Sequence, residues 1–183
     1  MSKEIKVPAT AEELKDLKAG DMVLLSGIVY TARDQAHKRI VECIEKGEKV
    51  PFNLENSAIY YVGPTPEKDG QVIGSAGPTT SGRMDMFSPL LMEKGNTIMI
   101  GKGKRNAAVK KAIQNTGAVY LSAIGGAGAY LADCVLSSTV IAWEDLGCEA
   151  VRELTVKNMP LIVAIDSQGN DIYEIGPKEY LKG

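Results

Sequence analysis

Cysteine is scarce in this chain, and the three present are scattered. Cys43, Cys134 and Cys148 form no CxxC pair, and an odd number at wide spacing argues against a disulfide framework or a zinc ribbon. They read as ordinary thiols in or near packed regions. Long apolar runs are also missing. Nothing approaches the roughly 18 residues that crossing a bilayer requires, and the opening MSKEIKVPAT lacks the apolar segment of a secretory signal. The expectation is a cytoplasmic protein without a membrane partner. An excess of one charge is lacking too: 21 Lys and Arg stand against 23 Asp and Glu, a formal net charge of -2. Neither nucleic acid nor an acidic membrane is called for as a partner, so any anion site must be local.

What is present is an ordinary globular composition. With 183 residues, 44% of them hydrophobic, the chain suits one compact domain over residues 1–183, and no repeat or low-complexity linker divides it. Apolar runs alternate with helical periodicity. MVLLSGIVY (22–30) reads as a strand and DQAHKRIVECIEKG (34–47) as a helix stopped by Gly47. Thr31 and Asp34 resemble a capping box with Asp in place of Glu. AIYYVGP (58–64), TIMIGKG (97–103) and AVYLSAIGG (118–126) read as strands, and FSPLLMEKG and NAAVKKAIQNTG as helices. AGAYLADCVLSSTVIAW suggests a short helix and a strand. RELTVKN is expected as one strand and PLIVAIDSQGNDIYEIG as a hairpin turning at SQGN. Fold class is mixed α/β.

Polar groups collect where strands end, the place where open α/β sheets bind ligands. YTARDQAH carries Arg33 and His37, the only histidine, four residues apart and so on one helical face. GPTTSGRMD (77–85) offers three hydroxyls, Arg83 and glycines that leave backbone amides free for an anion. GKGKRN adds Lys102, Lys104 and Arg105 just before a helix, whose dipole favours negative charge. Each stretch also has a plain reading: a connecting turn, a solvated basic surface, a histidine at the edge of the core. GGAGA (125–129) lacks the phosphate-loop patterns and reads as a close-packed turn. Together the cationic loops point to a small anion, and two arginines suit carboxylates through bidentate bonds. Composition does not choose a dicarboxylate over a phosphate ester.

The ordered set TARDQAH, IYYVGP, GPTTSGRMD, MIGKGKRN, YLSAIGGAGAYLA, WEDLGCEAV and PLIVAIDSQGND resembles the β part of the iron–sulfur hydro-lyases. The likeness runs from about Val7 to Ile175. It is to the β subunit of class I fumarase and L-tartrate dehydratase, equivalent to the C-terminal domain of the fused enzymes. The resemblance implies a compact mixed-sheet swivelling β/β/α domain and the reversible hydration of fumarate to L-malate. It also implies a [4Fe-4S] cluster bound by a separate α subunit and not by this chain, which would then hold no metal, and an active site closed between the two subunits.

Carried over by position, Thr79 resembles the family's candidate base for the C3 proton, or a relay of it. Arg33 and Arg83 resemble its carboxylate ligands, and Lys102 the lysine of its usual KGN pattern, although Lys104 stands where asparagine is usual. Thr80 is placed with the substrate-binding residues. His37 is expected behind the site, orienting substrate or Arg33. Gly82 and Asp85 are expected to hold the loop, with Asp85 fixing Arg83. The rival readings are a dehydratase of tartrate or another hydroxy-dicarboxylate, and a carboxylate-binding module without turnover.

Overall fold

The computed structural model describes residues 2–181. Seven strands form one sheet: β1 (Lys3–Val7), β2 (Met22–Thr31), β3 (Ala58–Tyr60), β4 (Ile98–Gly101), β5 (Val119–Ser122), β6 (Val135–Ala142) and β7 (Val151–Ile165). The first five run parallel in sequence order, while β7 lies antiparallel to β5, to β6 and to β2. Because β7 pairs with both β5 and β2, the ladder β2–β3–β4–β5–β7 returns on itself, with β1 and β6 attached at its rims.

Side-chain alternation along a strand sends neighbours to opposite faces, and here both faces are buried. Ala58 and Tyr60 of β3, Ile98 and Ile100 of β4, and Val119 and Leu121 of β5 point into the space enclosed by the strands, where they meet Leu25, Leu154 and Val163. Ile59, Met99 and Tyr120 face outward, beneath helices α2 (Asp34–Lys46), α3 (Ser88–Glu93) and α4 (Ala107–Thr116), whose Ile40, Leu91 and Ile113 cover them. The layers are thus strand wall, strand wall and helices. Each of these buried aliphatic side chains contributes about 1.5–3 kcal/mol, which explains why the central strands read as continuous apolar runs.

Helix boundaries follow local chemistry. Asn106 caps α4 by accepting from Val109 N at 2.9 Å. Gly47 closes α2 in the left-handed conformation, φ 69°.

Three expectations are corrected. The Thr31–Asp34 capping box does not form. Thr31 is fully buried, its hydroxyl donating to Ala150 O and accepting from Arg152 N. The start of α2 is served instead by Glu149, which accepts from Gln35 N at 2.9 Å across 114 residues. Second, RELTVKN and PLIVAI are a single strand, β7. A register shift opposite Leu25–Gly27 absorbs Lys157 and Asn158, with Asn158 at φ 51° and its amide bonded to Ser26 Oγ, so β2 pairs on both sides of the irregularity. Third, the turn at SQGN is present, with Asp166 Oδ1 accepting from Gln168 N and Asn170 N, but its return arm is a single bridge at Asp171. Asp171 Oδ1 then accepts from Tyr173 N and opens helix α6 (Ile172–Tyr180) where a strand was expected. The remaining helices are α1 (Ala11–Leu14) and α5 (Gly128–Asp133), with two short 3-10 helices at Ser81–Met84 and Glu144–Glu149.

Candidate active site

Strands β2, β3 and β4 end side by side, and the residues that follow form a ledge. Tyr61 continues β3 by donating to Ile100 O at 2.8 Å. The segment Thr79–Ser81 then fits between this extension and Lys102. Thr79 N donates to Tyr61 O at 2.8 Å, Ser81 N donates to Lys102 O at 2.9 Å, and Thr80 bridges Lys102 in parallel. Ser81 is the hub. Its buried hydroxyl accepts from Lys102 N at 3.0 Å and from Tyr120 Oη at 2.9 Å. A Cβ at residue 101 would stand 1.9 Å from that hydroxyl, so the close approach of the two loops requires Gly101.

The two arginines meet at one carboxylate. Arg83 Nε donates to Asp34 Oδ1 at 2.8 Å, and Arg33 Nε lies 3.8 Å from Asp34 Oδ2. Arg33 also lies 3.6 Å from Glu149 through its terminal nitrogen. It packs so closely over Gly63 that a Cβ there would come within 2.9 Å of the guanidinium. Thr79 is half-buried and Thr80 exposed. Neither the Thr79 hydroxyl nor the Lys102 ammonium has a polar partner among the described residues. No hydrogen bond joins Thr79 to Arg33, Arg83 or Lys102 among the described residues; what they share is the edge where the parallel strands end.

Behind the ledge is a buried polar layer. Arg105 is wholly enclosed, donating from Nε to Asp85 at 2.5 Å and from another nitrogen to Ser88 Oγ at 2.8 Å, with its guanidinium 4.9 Å from the Tyr120 ring. Arg105 therefore offers nothing to a ligand on the surface, contrary to the reading of GKGKRN as one cationic loop. Asp85 does not fix Arg83. It binds Arg105 and accepts from Asn106 N at 2.7 Å, joining the end of the hydroxyl loop to the start of α4. Gly82 is exposed, and its carbonyl accepts from Asp85 N.

His37 is fully buried beside Tyr61 and Phe87 and reaches no surface ligand. Its Nδ1 lies 3.0 Å from Arg33 O, so Nδ1 carries the proton. Burial lowers its pKa to about 4, against the pull of that carbonyl. The unfolded chain would take up this proton near pH 6.5, so the folded state should lose about 3 kcal/mol as pH falls from 6.5 to 4. Urea unfolding at pH 7, 5.5 and 4 checks this, with His37→Gln expected to flatten the trend.

A family model described as Fumarase C-terminus matches residues 1–176. The chain belongs to that family. An L(+)-tartrate dehydratase subunit beta of Methanocaldococcus jannaschii, so named provisionally, is 44% identical over 180 residues, 94% of this chain and 92% of that protein. Fumarate hydratase 2 of Leishmania major is 39% identical over 88% of this chain, and the anaerobic class I fumarate hydratase of Escherichia coli is 35% identical over 88%. This chain spans only 29% and 30% of those two proteins. One relative is thus named as a dehydratase beta subunit, and the other two, which are longer chains, as fumarate hydratases.

Two residues of this Fumarase C-terminus chain are not marked as site residues by the sequence. Asp34 reads as part of a capping box, and Glu149 has its partners Gln35 and Arg33 more than 100 positions away. The aspartate following Arg33 in TARD was the one available signal. An iron–sulfur cluster is not a fit to these side chains. Among the described residues no three His, Cys, Asp or Glu groups converge as a metal requires, and Cys43, Cys134 and Cys148 sit on α2, after α5 and near the start of β7. Nor do the clefts of about 500 and 440 Å³ include Thr79, Arg33, Arg83 or Lys102; those residues form an open ledge. No helix among the described residues is long and apolar enough to cross a membrane.

Proposed function

We propose that this chain is the β subunit of an iron–sulfur hydro-lyase that hydrates fumarate reversibly to L-malate, working as one domain over residues 1–183 in the cytoplasm. The observation that carries this reading is the convergence of Arg33 and Arg83 on Asp34 beside the hydroxyl-bearing loop. Two guanidinium groups suit the two carboxylates of a small substrate, and the Lys102 ammonium, without a polar partner among the described residues, adds positive charge from the next strand end. In this reading Thr79, whose hydroxyl has no polar partner among the described residues, takes up or relays the C3 proton, and Thr80 contacts the substrate from the adjoining position.

A separate α subunit would hold the [4Fe-4S] cluster and supply its Lewis-acid chemistry. The beta-subunit name of the Methanocaldococcus jannaschii relative supports a two-chain enzyme, and the openness of the ledge supports a site completed by another surface. Closure of the two parts would exclude water from the site.

The same relative favours a second reading, dehydration of L-tartrate, since it matches this chain over nearly its full length. Substrates that differ by a hydroxyl can be separated by one polar contact. The deciding experiment is anaerobic turnover by this chain alone and after co-expression with its α subunit, with iron measured in both. Activity and iron are expected only in the pair. Turnover or a bound cluster in the isolated chain would reject the division of labour. Faster turnover of tartrate than of fumarate by the pair would select the second reading, and binding without any turnover would reject both.

A further inference from the structure

We propose that Asp34 is a positioning residue for the two arginines, aligning them for a dicarboxylate; the inference rests on the function proposed above. Asp34 is the first residue of α2, three positions after Thr31 ends β2. It meets both arginines at the same kind of atom, accepting from Arg83 Nε at 2.8 Å and lying 3.8 Å from Arg33 Nε. A guanidinium held at its Nε edge still presents its end-on face, one N–H from each terminal nitrogen, for a second carboxylate. Those of Arg83 have no partner among the described residues, and those of Arg33 meet only Glu149, at 3.6 Å. One carboxylate therefore holds the Arg83 fork by a hydrogen bond and stands beside the Arg33 fork by charge.

Exposure separates orientation from stability. The Arg83 side chain is 52% exposed and that of Asp34 22%, and ion pairs this wet contribute little to folding. What such a pair can do is restrict a long, rotamer-rich side chain before the substrate arrives, so that less freedom is lost on binding. The two sides differ in tightness. Arg33 Nε and Asp34 Oδ2 are both buried without a hydrogen-bond partner while facing one another, so the Arg33 side of the clamp has slack and the Arg83 side does not. The specific contact to test is therefore the one between Asp34 and Arg83.

The sign of the effect distinguishes positioning from bare charge. A carboxylate that merely stood near the site would repel a dianionic substrate, and neutralising it would tighten binding. A carboxylate that aims the arginines does the opposite when lost. The test uses the co-expressed complex with fumarate and tartrate, comparing Asp34→Asn, Asp34→Glu, Arg83→Lys and the double variant Asp34→Asn with Arg83→Lys.

Asp34→Asn is expected to raise KM by about tenfold with kcat changed much less, because the arginines remain but are misaligned. Asp34→Glu should recover part of the loss. In the Arg83→Lys background, where the Nε donor is already gone, Asp34→Asn should add little, a non-additivity that a merely structural role would not produce. An unchanged or lowered KM in Asp34→Asn, or full additivity in the double variant, overturns the proposal. Should Asp34→Asn fail to assemble, Asp34→Glu carries the same cycle and the same criteria. Absence of turnover in the unmodified complex would instead reject the proposed function. A loss in Arg83→Lys without one in Asp34→Asn rejects only the positioning role.

Discussion

Replacing Thr79 by alanine is expected to lower kcat of the assembled enzyme by at least about 10²-fold, the lower end of what a positioned proton-transfer group contributes, while KM stays within a few-fold. The split follows from the division of labour on the ledge. In the proposed reading substrate charge is met by Arg33, Arg83 and Lys102, none of which is hydrogen-bonded to the Thr79 side chain among the described residues. Thr79 itself is held through its backbone, by the bond to Tyr61 O, so removing Cγ2 and the hydroxyl leaves the loop in place. Thr79→Ser keeps an oxygen on the same backbone and should retain a large part of the rate. A threonine hydroxyl is a poor base near neutral pH unless cations favour its ionised form, so Lys102→Ala is expected to depress the rate in the same direction. Steady-state kinetics of the three variants with the α subunit would check this, and an active Thr79→Ala enzyme would remove the residue from the mechanism.

The largest expected loss of stability comes from a residue that touches no substrate. Arg105→Met should cost about 3–5 kcal/mol, the range seen when one partner of a buried ion pair is removed and the other is left uncompensated. The arginine is fully enclosed, and Asp85 would lose its charged partner while keeping only Asn106 N. Ser88 Oγ and Met99 Sδ would lose their contacts as well. Pairing the change with Asp85→Asn should restore part of the loss, since the unpaired charge is then gone. Urea midpoints of the two single variants and the double variant measure the effect. Because Asp85 ties the hydroxyl loop to α4, the single variant should also lose activity under conditions where it is still folded.

Much of the frame was legible in the sequence. The strand runs of β2 to β5 and the helices between them were readable because both faces of these strands are buried and their apolar residues run together. Gly47 marked a helix end because caps are made within four residues. The polar clusters at residues 30–37, 77–85 and 101–106 were visible as candidate site segments, since strand ends in α/β folds are where such groups gather. Which groups within them face a ligand was another matter. Arg105 and Lys102 are three positions apart in the same loop, yet one is enclosed between two tyrosine rings and the other is half-exposed.

The order of the chemistry-bearing loops, the α/β alternation and the family were thus determined by the sequence alone, because each depends on near-neighbour spacing or on the pattern as a whole. Tertiary structure decided the rest. It gave Asp85 to Arg105 and not to Arg83, placed Asp34 between two arginines from different loops, and put Glu149 at the start of a helix 114 residues away. It also fused two strands into β7, because β2 supplied a continuous partner with a matching irregularity. These choices depend on which side chains are enclosed together when distant segments pack. In that enclosure an unpaired charge is costly and a local preference is easily overruled.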